Sequence, residues 1–371
     1  MHDKSVAQTE ELAWQPLIFD CTEEHDRKEL NEFATSAKVW RTHDTIIQQV
    51  KDLLYARHPQ WIKNPVSQAQ VQVEIEKLTG GAPLPHYGCW VYYPWSGMLV
   101  HLLPAEEFQE LRGNRNRNKI TAEEQKKLAQ LTIGVVGLSV GNAVATALAM
   151  EGIGGCLKLA DFDQLDLSNM NRVQATVADI GLSKTVLCMR QIYGMNPYAH
   201  VVPFMDGLTE ENLGEFYTGF PKLDLIVDEC DDIRMKVLLR ERAKALQVPV
   251  LMETSNRGML DVERYDLEPE RPIFHGLLGN VTSADIPVDL AMEEKIKFVI
   301  PIIGLESLST RSAASMNEIG RTISTWPQLG SEVILGGATI STAIRQWALG
   351  EPLASGRRYI DLTELVSTEI A

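Results

Sequence analysis

Thr132-Ile-Gly-Val-Val-Gly-Leu-Ser-Val-Gly-Asn142 is the stretch that most constrains this chain. An apolar run of strand length stops at Gly137, turns, and passes into Ala-Val-Ala-Thr-Ala-Leu, a helix-compatible sequence. A second short apolar run, Cys156-Leu-Lys-Leu-Ala160, follows and ends in Asp161-Phe-Asp163. Strand, glycine turn, helix and a second strand closing on an acid form the opening unit of a parallel α/β sheet. Asp161 stands 24 positions after Gly137 (161 − 137), close to the roughly 20 expected for the acid of such a unit.

That order suits a nucleotide, with phosphates at the helix N-terminus and ribose hydroxyls on the acid. The turn itself is ambiguous. Ser139 and Asn142 replace the second and third glycines of G-x-G-x-x-G, and Gly141 comes one place early. Gly137-Leu-Ser-Val-Gly141 also reads as the G-x-S-x-G elbow of a serine hydrolase, which would make Ser139 a nucleophile. A plain packing turn is the third reading.

Further along stand Asn169, Asn171-Arg172 and Gly181-Leu-Ser-Lys184. Beyond them, Asp224-Leu-Ile-Val-Asp-Glu-Cys-Asp-Asp232 is a strand that runs into carboxylates. Together these motifs resemble the ThiF/MoeB/E1-like family of ubiquitin-activating-type adenylyltransferases, over about residues 112–371. The family usually carries Asp-Asn where this chain has Asp231-Asp232. The resemblance implies a Rossmann-like, doubly wound α/β fold with a mostly parallel sheet, and ATP- and Mg²⁺-dependent adenylation of a carboxylate with release of pyrophosphate. It implies that Gly137, Ser139 and Gly141 let backbone N–H groups approach the nucleotide, and that Asp161 binds the ribose. Asn169 and Arg172 would contact the β- and γ-phosphates, Lys184 the α-phosphate, and Asp231 the magnesium. The competing classes are the Ser139 hydrolase, an NAD-dependent oxidoreductase and an idle scaffold. The oxidoreductase gives the Asn169–Arg172 loop and Lys184 no purpose. Retention of Arg172, Lys184 and Asp231 speaks against the scaffold.

Strand and helix patterns alternate from residue 131 onward: Leu131–Val136, Asn142–Glu151, Cys156–Ala160, Lys184–Met195, Val201–Met205, Leu223–Val227, Ile233–Leu246 and Val248–Met252. Residues 261–300 read as less regular, a late helix is expected to start near Gly336-Gly337, and Arg358–Leu362 reads as a closing strand. Residues 1–110 read as a smaller α+β N-terminal module and 111–371 as the adenylation domain. In the module, Thr45–Arg57 is helical by pattern, Val71, Val73 and Ile75 alternate like a strand, and Cys89–Tyr93 with Met98–Leu103 read as a β-hairpin. The module suits peptide binding, by adding a strand to that hairpin.

Arg112, Arg115, Arg117 and Lys119 crowd the segment before Thr121. A solvated linker is one reading. By resemblance, an arginine here reaches the partner's ATP in a homodimer, with Arg115 favoured and Arg117 next, because guanidinium grips phosphate oxygens in pairs. Asp163 and Asp166 read as solvated, and the histidines show no ligand spacing.

Composition narrows the partners. The formal net charge of −15 argues against nucleic acid and anionic membrane surfaces. No apolar run reaches the roughly 18 residues of a membrane span. Met1-His-Asp-Lys-Ser5 has no apolar signal core, so a cytoplasmic location is expected. None of the five cysteines, Cys21, Cys89, Cys156, Cys188 and Cys230, forms C-x-x-C, so no zinc is expected. No cysteine follows Asp231, and Cys230 ends an apolar strand, where a structural thiol is expected. The acyl-adenylate is therefore expected to meet a nucleophile of the substrate or a partner, not an enzyme thiol. A peptide or a ubiquitin-like carrier protein is the expected substrate, in natural-product peptide modification or cofactor biosynthesis, with a separate flavin enzyme as a conceivable partner.

Overall fold

The computed structural model describes residues 14–288, 290, 292–304 and 307–367. Met1–Ser5, read above for a signal, lies outside them. The chain divides into two compact units, residues 1–122 with 193–198, and residues 123–192 with 199–371.

The first unit holds a four-stranded sheet in the order β1-β3-β4-β2, with β1 Leu17–Asp20, β2 Arg41–Asp44, β3 Cys89–Tyr93 and β4 Met98–Leu102. Helices α1 Glu24–Ala34, α2 Ile46–Arg57, α3 Gln68–Thr79 and α4 Ala105–Arg112 accompany it. The β3–β4 hairpin forms as its pattern predicts, turning over Gly97 at φ 65°. Both its strands are flanked, β3 by β1 and β4 by β2. An added strand has no free edge on the hairpin itself and must join β1 or β2.

The strand expected around Val71–Ile75 is instead helix α3. Val71, Ile75, Leu78 and Thr79 face inward, a helical period, and Ser67 caps the helix by accepting the Gln70 N–H at 3.2 Å. The alternating apolar residues were compatible with both periods, and the cap decides between them.

The second unit is built on a seven-stranded sheet, order β11-β10-β9-β8-β5-β6-β7. Its strands are β5 Thr132–Val136, β6 Cys156–Ala160, β7 His200–Phe204, β8 Leu225–Asp228, β9 Val250–Thr254, β10 Met259–Glu263 and β11 Gly356–Tyr359. The five from β7 to β9 are parallel, and β10 runs antiparallel to both its neighbours, β9 and β11. Every residue of β5, β6 and β8 is buried, as expected for strands covered on both faces. Helices of this unit are α5 Ala122–Leu128, which begins at the boundary, α6 Gly141–Glu151, α7 Lys184–Met195, whose residues from Tyr193 on belong to the first unit, α8 Leu213–Thr218, α9 Ile233–Leu246, α10 Met292–Ile303, α11 Thr310–Met316, α12 Gly330–Leu349 and α13 Leu362–Ser367. Residues 261–263, at the start of the stretch expected to be less regular, belong to β10.

The late helix α12 starts at Gly330, not near Gly336-Gly337, which lie inside it. Glycine reads as a helix end in sequence. Here it permits close approach: a Cβ on Gly336 would stand 2.5 Å from Glu253 Cδ, and one on Gly337 2.8 Å from the Ala143 carbonyl of α6.

Candidate active site

The strand order reverses at β5: the chain moves outward through β6 and β7, then returns to lay β8 and β9 on the other side. In such sheets ligands bind beyond the carboxyl ends of the strands at this switch. Register brings the ends level, since Val136 pairs with Ala160 on one side and Asp228 on the other. The next residues, Gly137, Asp161 and Glu229, therefore open onto one edge. A cavity of about 490 Å³ lies there, lined by Gly137, Ser139, Asp161, Asp163, Glu229 and Asp231 among others. That size is typical of small-ligand sites.

Gly137 has φ 85°, and a Cβ on it would overlap the Glu229 carbonyl, so no other residue fits without rearrangement. Helix α6 starts at Gly141 with no side-chain cap, leaving its first N–H groups for a ligand anion. Asn142, in the place of a third glycine, donates to Gln191 of α7 at 2.7 Å and ties the two helices. The Asp161 carboxylate accepts Leu138 N–H at 2.5 Å and Asp163 N–H at 2.7 Å. Burial raises its pKa, opposed by those amides and by Lys184.

Lys184 is buried and donates to Asp163 Oδ2 at 2.8 Å. Asp163, read from sequence as solvated, is thus the residue that holds the lysine beside the cavity. The only advance signal was its placement two residues after Asp161 at the strand end. Asp166 is also engaged: with Asn169 it forms a reciprocal capping box around the turn Leu167–Asn169. The Asn169 carboxamide oxygen accepts Asp166 N–H at 3.1 Å.

Arg172 is half-buried, and its Nη1 donates to Asn171 Oδ1 at 2.9 Å. Its Nε is buried and has no hydrogen-bond partner among the described residues. Burial lowers its pKa, and the charge of Asp231 opposes that drop. The arginine thus feels the aspartate that lines the cavity. Asp231 is exposed, whereas Asp232 is the N-cap of α9, accepting Met235 N–H at 2.6 Å. Cys230 Sγ donates to Asp228 Oδ1 at 3.0 Å. Burial and Asp228 push the thiol well above its ordinary range, so it is held neutral.

Of the expected site residues, Gly137, Ser139, Asp161 and Asp231 line the cavity, Lys184 is joined to it through Asp163, and Arg172 reaches it electrostatically. Gly141, Asn169, Arg172 and Lys184 do not line it. Arg115 and Arg117 are exposed residues of the first unit. Sequence reading missed Glu229, half-buried just after β8, and Glu253, buried near the end of β9. Glu229 was visible only as one of several acids in a row, and Glu253 carried no signal.

A family model described as ThiF family matches residues 113–308, more than half of the 371-residue chain. The chain belongs to the ThiF family. It is 49% identical over 274 residues to uncharacterized protein MT1398 of Mycobacterium tuberculosis (strain CDC 1551 / Oshkosh), covering 74% of this chain and 38% of that protein. It is 30% identical to the tRNA threonylcarbamoyladenosine dehydratase of Bacillus subtilis (strain 168), over 42% of this chain and 60% of that one. It is 28% identical to the molybdopterin-synthase adenylyltransferase of Haemophilus influenzae (strain ATCC 51907 / DSM 11121 / KW20 / Rd), over 57% of this chain and 88% of that one. The chain thus spans less than two thirds of the length of the first two relatives. Its ThiF-family region contains every cavity residue named above. Among the described residues no helix is long and apolar enough to cross a membrane.

Proposed function

We propose that this ThiF-family protein uses ATP to adenylate a carboxylate. The substrate oxygen bonds to the α-phosphorus, the bond to the β-phosphate oxygen breaks, and pyrophosphate leaves. The observation that carries this reading is the cavity at the switch point, where the glycine turn, Asp161 and Asp231 meet. Asp161 takes the ribose hydroxyls, the amides at the start of α6 take phosphate, and the Arg172 guanidinium supplies positive charge toward the β- and γ-phosphates. Lys184 is held by Asp163 within reach of the α-phosphate, where charge develops. The names borne by several relatives, adenylyltransferases for molybdopterin synthase and for the carrier protein ThiS, support the reaction class.

Asp231 fits magnesium. Mg²⁺ keeps several waters and is held by one or two carboxylates with substrate phosphates, not by a protein cage. Among the described residues no group of three or more ligating side chains is arranged for a metal, and Asp231 is an exposed carboxylate on the cavity wall whose charge Arg172 feels. When bound, the ion neutralises triphosphate charge. The cavity is itself acid-rich, so further cation supply is needed. Arg115 or Arg117 from a second copy in a homodimer would meet that need.

The neutral Cys230 supports resolution of the acyl-adenylate by a nucleophile of the substrate or a partner, without an enzyme thioester. A peptide or small carrier protein is the proposed substrate, with the outer edge of β1 or β2 as the docking strand. The net charge of −15 disfavours tRNA as substrate. Among the described residues of the second unit, neither histidine is placed as a base for Ser139. The ring nitrogens of His101 face Asp44 and the Tyr87 carbonyl, and those of His275 face Asp261 and Arg271. His200 begins β7, at the end of the parallel sheet opposite Ser139.

Substrate-dependent exchange of pyrophosphate into ATP, measured over candidate peptides and carrier proteins, tests the reading. Arg172→Ala and Asp231→Ala are each expected to reduce exchange by about 100-fold or more. Full exchange in both variants refutes the site, and labelling of Ser139 by a fluorophosphonate probe would restore the hydrolase.

A further inference from the structure

Asn171 stands beside Arg172 in the Asn169–Arg172 loop, yet the scheme above gives it no role. Its side chain is engaged at both ends. The carboxamide oxygen accepts Arg172 Nη1 at 2.9 Å, and the carboxamide nitrogen donates to the Gln328 carbonyl at 2.8 Å. Gln328 lies 157 positions further along, in the segment that enters α12. A carboxamide carries an acceptor and a donor on one carbon, so it can hold a cation and a backbone carbonyl at once. Aspartate at this position would hold the arginine but have nothing to donate to Gln328.

The backbone is seated on the same segment. A Cβ on Gly330, the first residue of α12, would stand 2.7 Å from the Asn171 carbonyl oxygen. Gly330 is not among the glycines of positive φ, so space, not backbone freedom, calls for glycine here. The start of α12 thus lies directly against the loop that carries Arg172.

Local bonds already fix the backbone of that loop. Asp166 and Asn169 close a capping box, and the Asn169 carbonyl accepts Arg172 N–H at 3.0 Å and Val173 N–H at 2.9 Å. They do not fix the long arginine side chain, which has much rotamer freedom to lose. Among the described residues, the hydrogen bonds of the guanidinium run through Nη1, to Asn171 Oδ1 and, at 3.4 Å, to the Ser168 carbonyl. A guanidinium is planar, so holding one terminal nitrogen sets the direction of the other.

We propose that Asn171 is a positioning residue: braced by Gln328 and Gly330, it grips Arg172 by Nη1 and keeps Nη2 turned toward the β- and γ-phosphates. The inference rests on the adenylation reading, which gives Arg172 those phosphates.

The test is calorimetric titration of the full chain, in Mg²⁺, with α,β-methylene-ATP and separately with AMP. The first cannot be cleaved between its α- and β-phosphates, so no adenylation occurs. The second lacks both phosphates that Arg172 serves and reports only on the rest of the cavity. Asn171→Ala is expected to weaken α,β-methylene-ATP about tenfold and leave AMP affinity unchanged. A merely structural role would weaken both nucleotides together. Gly330→Ala displaces the loop from the other side and is expected to show the same split, which decides the matter if Asn171→Ala does not fold. Adding Asn171→Ala to Arg172→Ala is expected to change nothing further, because Asn171 acts only through the arginine. Equal weakening of the two nucleotides, an additive loss in the double variant, or full α,β-methylene-ATP affinity in Asn171→Ala and Gly330→Ala beside a loss in Arg172→Ala overturns the proposal alone. Full affinity in Arg172→Ala itself removes the phosphate role of the arginine, and the adenylation site falls together with the proposal.

Discussion

Asp228 and Glu229 are consecutive carboxylates at the end of one strand, and they live in opposite electrostatic worlds. Asp228 points to one face of the sheet, where Arg240 and Lys236 meet it. Arg240 also holds Glu263, whose other oxygen accepts the Tyr265 hydroxyl at 2.7 Å and Phe274 N–H at 2.6 Å. Burial would raise the Asp228 pKa, but the two cations outweigh it and bring it to about 2. Glu229 finds a carboxyl across from it. Burial, reinforced by Asp228 and Asp231, raises its pKa to about 8 against the pull of Lys236. Strand alternation sends neighbours to opposite faces, so one position completes the scaffold and the next equips the cavity. A satisfied buried network holds the sheet edge in place. An unsatisfied one is relieved by keeping a proton.

The largest effect should come from breaking the satisfied side. Arg240→Met strands Asp228 and Glu263 without their shared cation, and should lower unfolding free energy by about 3–5 kcal/mol in urea denaturation. A loss under about 1 kcal/mol would mean that the network is structurally idle. Next comes the unsatisfied side. The proton affinity of Glu253 is raised well above the ordinary 4.5, first by burial and then by Glu229. The folded state therefore holds a proton that the unfolded chain releases earlier. The stability this provides is complete below the ordinary carboxylate pKa and is lost as pH rises above it, at up to about 1.4 kcal/mol per pH unit. Glu253→Gln should flatten that decline and leave the variant more stable than the parent at alkaline pH. Melting curves that stay parallel across pH would place the compensating charge elsewhere.

The smallest stability change is expected at Asp163. Its carboxylate is 52% exposed, so its ion pair with Lys184 is screened, and Asp163→Asn should cost less than about 1 kcal/mol. Its effect belongs in nucleotide binding instead, with ATP affinity falling about tenfold as the lysine loses its anchor. A large stability loss with unchanged ATP affinity would move Asp163 from the site to the scaffold.

Local sequence was sufficient wherever the physics was local. The apolar runs of β5, β6 and β8, the turn at Gly137 and the acid at Asp161 are set by strand burial, a positive φ and strand length, and all can be read within a short window. The motif Asp224–Asp232 likewise announced a strand running into acids. What the window could not contain was decided by contact across it. Gly336 and Gly337 sit inside α12 because Glu253 and the Ala143 carbonyl need the room. Asp163 found Lys184 across a loop of 21 residues. Glu229 found Glu253 across 24. A charge is neutralised or left exposed by whatever folds against it, and that neighbour is chosen by the packing of the sheet and helices rather than by the chain on either side.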